Sequence, residues 1–283
     1  MSRQGAVAAI LALGLLGGAV TVGVGQPSTG QPALPSKDRL PGPAPDEVPD
    51  GPLGASIRYG ERILTQTRVY AKEYTGNGLN CTSCHLDKGR KAYSSPWVGT
   101  WGVFPEYRSR NAKVNLLEDR VNDCFERSMN GRPLPRDGEE MRAILAYIWW
   151  LSRDLPVGVE PPGRGFVKLA PVGPTVKGRG EAVYVAKCAV CHGRDGQGLT
   201  SPSGDYLFPP LWGPQSFNIG AGMARRNTAA AFVKANMPYG QDGTLTDQEA
   251  YDVAAYFTEQ PRPDFPRKDE DWPKGDKPPD ARY

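Results

Sequence analysis

Two five-residue motifs, Cys81-Thr82-Ser83-Cys84-His85 and Cys188-Ala189-Val190-Cys191-His192, constrain this chain more than any other feature. Together they take four of its five cysteines and both of its histidines. The spacing suits covalent haem attachment. Two thiols add across the vinyl groups of one porphyrin, and the next residue lies under the iron and offers a nitrogen. Structural zinc would need four N/S ligands, and each motif has three. A thioredoxin-like pair would not need the histidine and would sit near a βαβ pattern. The motifs therefore predict two covalently attached haem c groups (iron). Cys81, Cys84, Cys188 and Cys191 are the anchors, with His85 and His192 on the metals.

Counting ligands exposes a shortage. No third histidine is left to close either iron from its other face. In the first half the remaining soft donors are Cys124, Met129 and Met141; in the second they are Met223 and Met237. Met237 precedes Pro238-Tyr239-Gly240, and a Met-Pro loop after the haem motif is a common ligand arrangement in small cytochromes c. Met237 is thus the expected second-haem ligand, with Met223 its competitor and ordinary core packing the bland alternative. Met141 falls on the apolar face of a helix and reads as core. Met129 lies one turn beyond Cys124 and stays open.

The rest of the chain falls into a duplicated layout. Arg3 precedes an uncharged stretch from Gln4 to Ser36, with an apolar part from Ala6 to Val24. That order marks residues 1–25 as an export signal, or an uncleaved N-terminal anchor, with Gly23-Val24-Gly25 a weak cleavage site. Residues 26–54 are a Pro/Gly-rich linker. A first domain spans 55–156, with an amphipathic helix over Ile57–Glu73, a helix over Lys113–Met129, and a closing helix capped at Asp137-Gly138-Glu139-Glu140 and ended before Pro156. Residues 157–175 connect to a second domain over 176–261. There a helix over Gly178–Lys187 leads into the second motif, and Thr228–Ala235 is helical. Thr246-Asp247-Gln248-Glu249 is a capping box for the last helix, stopped by Pro261. Residues 262–283 form a charged, Pro-rich tail, surface-wrapped or loose. The expected fold is mainly α: two tandem copies of one haem-binding domain, with long loops and disordered Pro-rich termini. High Gly (34) and Pro (28) counts fit that picture.

On a helix over 113–129, Leu117, Arg120, Val121, Cys124 and Ser128 share one stripe. A cation one turn before a sulfur favours thiolate, and a guanidinium offers several donors to an oxyanion. Between Arg108 and Arg136, seven Lys and Arg side chains stand against Glu118, Asp119, Asp123 and Glu126. That excess suits an anionic substrate. We read Cys124 as an iron ligand and a reactive sulfur. The bland alternative is a buried, inert thiol beside a solvated charged face. A net charge of +3 without any basic run gives no nucleic-acid footprint.

The run Arg120-Val121-Asn122-Asp123-Cys124-Phe125-Glu126-Arg127-Ser128-Met129-Asn130-Gly131-Arg132-Pro133-Leu134 closely resembles the dihaem thiosulfate dehydrogenases, which are also tetrathionate reductases. The likeness extends to Trp97-Val98-Gly99, Pro105 to Arg110, Ala146 to Ser152 and Phe232 to Pro238, covering about Gly54 to Pro261. It implies that both domains are tandem cytochrome c domains, with a catalytic first haem on His85 and Cys124 and thiosulfate met by Arg110, Arg120 and Ser128. Two thiosulfates would couple to tetrathionate, with Cys124 leaving the iron to carry a sulfur adduct. A second haem on His192 and Met237 would pass electrons to a small periplasmic partner, such as a cytochrome c or a high-potential iron-sulfur protein. Some relatives carry a competing lysine just before this methionine. Here Asn236 stands there, so no Lys/Met ligand exchange is expected. The expected address is the periplasm, with membrane contact only through an uncleaved N-terminal segment. Competing functions are a plain dihaem electron carrier and a thiosulfate-transferring cytochrome of the sulfur-oxidising multienzyme system. A dihaem peroxidase is disfavoured, having no spare histidine to use.

Overall fold

The computed structural model describes residues 39–170 and 172–283. The export signal and the first part of the linker, residues 26–38, lie outside the described residues. The described chain is mainly helical and duplicated. The first half contains α1 (Gly51–Thr65), α2 (Thr67–Tyr70), α3 (Leu86–Gly89), the antiparallel pair β1 (Glu106–Arg108) and β2 (Lys113–Asn115), α4 (Leu117–Arg127) and α5 (Glu139–Ser152). The second contains α6 (Lys177–Lys187), α7 (Ala189–His192), the antiparallel pair β3 (Leu199–Thr200) and β4 (Tyr206–Phe208), α8 (Arg226–Asn236) and α9 (Asp247–Thr258).

Each half is built on the same helix crossing. In the first, α1 packs on α5 and buries Ile57, Ile63, Leu64, Met141, Ile144, Tyr147 and Ile148. In the second, α6 and α8 pack on α9 around Tyr184, Ala229, Val233, Val253 and Phe257. Both crossings need a glycine, because the opposing backbone comes too close for any side chain. A β-carbon on Gly60 would lie 2.0 Å from the Ala143 carbonyl oxygen, and one on Gly180 2.1 Å from that of Asp252. The next obstacle is also shared: the β-carbon of Tyr147 in the first crossing and of Tyr256 in the second. Gly180→Ala is expected to lower stability by about 1–3 kcal/mol through overpacking, read as an earlier denaturation midpoint of the holoprotein.

Several local expectations change. The first helix starts at Gly51, inside the stretch read as linker, where Pro52 supplies a ready-made first turn. It breaks at Gln66 rather than running on to Glu73, because Thr67 is needed at the haem motif. Lys113–Asn115 is a strand, not helix, paired to Glu106–Arg108. The helix after it begins only where the Asp119 carboxylate can accept the Leu116 N–H, at 2.8 Å. Asp137 does not cap α5; Gly138 is the residue before its first turn, and no side chain bonds there. The capping box of α9 forms as read: Thr246 Oγ1 accepts from the Glu249 N–H at 3.2 Å, and Glu249 accepts from the Thr246 N–H at 2.8 Å. Met129 and Met141 are both core residues.

The two halves interlock. Phe217, Ala221 and Ala224, from the second half, belong to the first hydrophobic core. Asn77 donates to the carbonyl of Ser216 at 3.1 Å, and Arg68 to that of Gly204 at 2.6 Å. Lys91 and Asp242 form an ion pair at 2.6 Å, with the lysine side chain only 3% exposed. The 262–283 tail is wrapped rather than loose. It runs back over the first domain and buries Phe265 and Trp272.

Candidate active site

The site is assembled on α4. Leu117 and Phe125 are buried in the first core and fix which way the helix faces. Arg120 and Cys124 lie one turn apart on a neighbouring face, and Arg120 Nη1 donates to Cys124 Sγ at 3.0 Å. The facing sulfur is the largest influence on Arg120 and raises its pKa.

The far end of α4 is locked to the segment that enters the first motif. The N–H groups of Ser128 and Met129 both bond the Cys124 carbonyl. Asn77 donates to the Ser128 carbonyl at 2.9 Å, and Gly76 N–H to that of Met129 at the same distance. Asn122 brackets Leu134, accepting from its N–H at 2.8 Å and donating to its carbonyl at 3.0 Å. On the other side of the motif, the buried Thr67 hydroxyl accepts the Cys81 N–H at 3.0 Å. The cysteine helix and the motif are thus held in a fixed relation. Cys124 lies close enough to both motif thiols to act on them. Burial first, with the nearby Cys124 sulfur adding to it, pushes Cys81 and Cys84 up to about 12.

The residues present fit a covalent haem in each half. All four motif cysteines are free thiols, with none spent on a disulfide. Each histidine is oriented by its δ nitrogen. His85 Nδ1 bonds the Ser95 carbonyl at 2.5 Å, and His192 Nδ1 that of Pro209 at 2.8 Å. That bond leaves Nε2 as the lone-pair nitrogen, the arrangement a metal-bound imidazole requires. Burial lowers both histidines, His85 to about 4, so each stays neutral and able to ligate. Trp97 stacks on the His85 ring with centroids 4.9 Å apart. In the second half Met237 follows the last turn of α8, its N–H on the Val233 carbonyl at 2.9 Å. Met237 packs on the second core alone, whereas Met223 touches both cores. Asn236 is fully buried, and its amide donates to the carbonyls of Phe232 at 3.0 Å and Tyr93 at 3.2 Å.

Of the residues read from sequence, the structure brings Arg120 and Cys124 into contact and keeps Ser128 one turn beyond. Arg110 sits elsewhere in the network. Its Nη1 donates to the Gly220 carbonyl at 2.5 Å and lies 3.7 Å from Asp271, while its guanidinium carbon is 4.9 Å from the Trp272 ring centroid. Burial, then the neighbouring Arg127, brings Arg110 down to about 10. Asn77, Thr67 and the tail residues Asp271 and Trp272 were not read from sequence. They are single polar or aromatic residues whose partners lie far along the chain.

Residues 67–157 match the family described as SoxA/TsdA, cytochrome c domain, and residues 177–257 match cytochrome C oxidase, cbb3-type, subunit III. A thiosulfate dehydrogenase of Psychrobacter arcticus is 47% identical over 84% of this chain and 73% of its own length. Another, of Allochromatium vinosum, is 47% identical over 79% of this chain and 84% of its own. The structure of thiosulfate dehydrogenase (TsdBA) from Marichromatium purpuratum, in its "as isolated" form, superposes with a TM-score of 0.78 at 41% identity. That match covers 81% of this chain and 50% of the other, so this chain spans about half the length of that one. A haem-anchoring motif followed by an arginine-held cysteine, within two cytochrome c domains and at this identity, places the chain in the thiosulfate dehydrogenase family.

Proposed function

We propose that the first domain couples two thiosulfate anions to tetrathionate, and that the second domain exports the electrons. In the reaction two S₂O₃²⁻ become one S₄O₆²⁻. One S–S bond forms between the terminal sulfurs, and two electrons leave. The observation that carries this reading is the Arg120–Cys124 contact, at 3.0 Å beside the first haem motif. Two dianions repel, and their approach needs fixed positive charge in a desolvated site. Arg120 supplies it next to the sulfur, and the resemblance to the family adds Arg110 and Ser128 to the anion site.

Cys124 would serve as the sulfur nucleophile and, with His85, as a donor to the first iron. Cys81, Cys84 and His85 would hold one haem and Cys188, Cys191 and His192 the other, and the pair would supply the one-electron chemistry that the coupling needs. A thiolate donor from Cys124 would lower the potential of the first, and a thioether donor from Met237 would raise that of the second. Asn236 spends its amide on two backbone carbonyls and has no amine to compete with Met237. No helix among the described residues is long and apolar enough to cross a membrane. A periplasmic address, and a small acceptor such as a cytochrome c or a high-potential iron-sulfur protein, complete the reading.

The test is anaerobic spectroscopy of the oxidised holoprotein. Thiosulfate is expected to reduce it, and tetrathionate to oxidise the pre-reduced form. A holoprotein that ignores both anions overturns the enzyme reading and leaves a plain dihaem carrier.

A further inference from the structure

The tail ends in a cluster of contacts that the family reading does not use. Asp271, with its side chain 3% exposed, takes both terminal nitrogens of Arg127 at 2.8 Å and receives the Tyr283 hydroxyl. Arg127 is the last residue of α4, one turn beyond Cys124. Its guanidinium lies 4.0 Å over the ring of Phe265. The next tail residue, Trp272, adopts a left-handed backbone (φ 53°), a costly conformation for a bulky side chain. In that conformation its N–H bonds the Arg110 carbonyl at 2.6 Å, and its ring lies against the Arg110 guanidinium. Tyr283 packs on the other aromatic neighbour, with ring centroids 5.7 Å from Trp272.

Arg110 is therefore gripped at one corner only. Nη1 is held by Gly220 and faces Asp271, and the guanidinium plane is set by Trp272. Among the described residues, Nε and Nη2 make no hydrogen bond. That free edge is the fork which binds an oxyanion by two parallel bonds. We propose that the tail is a working part of the anion site: Trp272 and Asp271 are positioning residues that hold Arg110 with its Nε–Nη2 edge presented to the sulfonate oxygens of the substrate. This rests on Arg110 being an anion contact, as in the function proposed above. Without the stack, a flexible arginine must be ordered at the moment of binding, and affinity falls by that cost.

The experiment uses fully reduced holoprotein, which can take no electrons from the anion, so binding is separated from turnover. Thiosulfate binding is measured by calorimetry for wild type, Trp272→Leu and Trp272→Phe, each with both haems attached. Trp272→Leu is expected to bind about tenfold more weakly, and Trp272→Phe, which keeps a ring face, within about threefold of wild type. In steady-state assays the same loss should fall on KM, with kcat within about twofold. Equal affinity in wild type and Trp272→Leu, including no binding by either, overturns the proposal. So does an equal loss in the leucine and phenylalanine variants, which would mark a merely structural tail. Binding that depends on Trp272 without any thiosulfate turnover would uphold this proposal and overturn the catalytic reading.

Discussion

Cys124→Gly is expected to lose thiosulfate-dependent electron transfer by ~10⁴-fold or more, because it removes the proposed nucleophile and not an accessory. The same variant should change the spectrum of the first haem and leave the second unaltered. Only the first iron loses a donor. Glycine inside α4 also costs the helix about 1 kcal/mol, so Cys124→Ala serves as a control that keeps helix propensity. Both variants should behave alike in turnover and spectrum, and differ only in denaturation midpoint. A first-haem spectrum identical to wild type in Cys124→Ala would refute the ligand role. Residual turnover within tenfold of wild type would refute the nucleophile role.

The second large effect belongs to Arg120. Its guanidinium touches the reactive sulfur and stands beside the motif, where charge is costly to bring together and valuable once fixed. Arg120→Gln is expected to lower kcat/KM by about 10²–10³-fold, the usual loss for one charge-stabilising donor in a desolvated site. Arg120→Lys restores the charge but not the fork, and should recover only part of it. Tetrathionate reduction should fall by a similar factor, since the same sulfur and cation serve both directions. An Arg120→Gln enzyme with unchanged kcat/KM would leave the contact without a catalytic role.

Much of this was legible before any coordinates. The motifs announce the cofactors, and the shortage of histidines points to Cys124. The 3.6-residue period places Arg120 one turn away, and the structure joins them. The duplication was legible too, from the repeated order of helix, haem motif, loops and closing helix, and the structure adds a finer signature to it. Gly60-Glu61 and Gly180-Glu181 open equivalent helix crossings, answered by Tyr147 and Tyr256. Both motifs also extend to a glycine four residues past the histidine. Gly89 and Gly196 each sit against a tryptophan, Trp97 and Trp212, with no room for a β-carbon.

What the sequence did not yield was long-range. Lys113–Asn115 has helical neighbours but is drawn into a strand by Glu106–Arg108, a pairing set by the loop and not by periodicity. Arg110 reads as one of a local excess of basic residues and, by resemblance, as a substrate contact; only the fold shows that Asp271 and Trp272, more than 150 residues away, lie against it. A Pro-rich, charged stretch looks unable to pack. Its two buried aromatics, Phe265 and Trp272, find guanidinium faces instead of an apolar core.

The loop after His85 deserves a kinetic reading. Ser95 orients His85, while two residues earlier the Tyr93 carbonyl accepts the amide of Asn236, immediately before Met237. The Lys91–Asp242 pair clamps the same loop to the other half. The donors proposed for the two irons thus hang from opposite ends of one short, pinned stretch. Electrons passing between the halves would cross a gap of set width, with no hinge to wait for. Throughput at that step would then follow tunnelling distance and driving force, and would be indifferent to solvent viscosity.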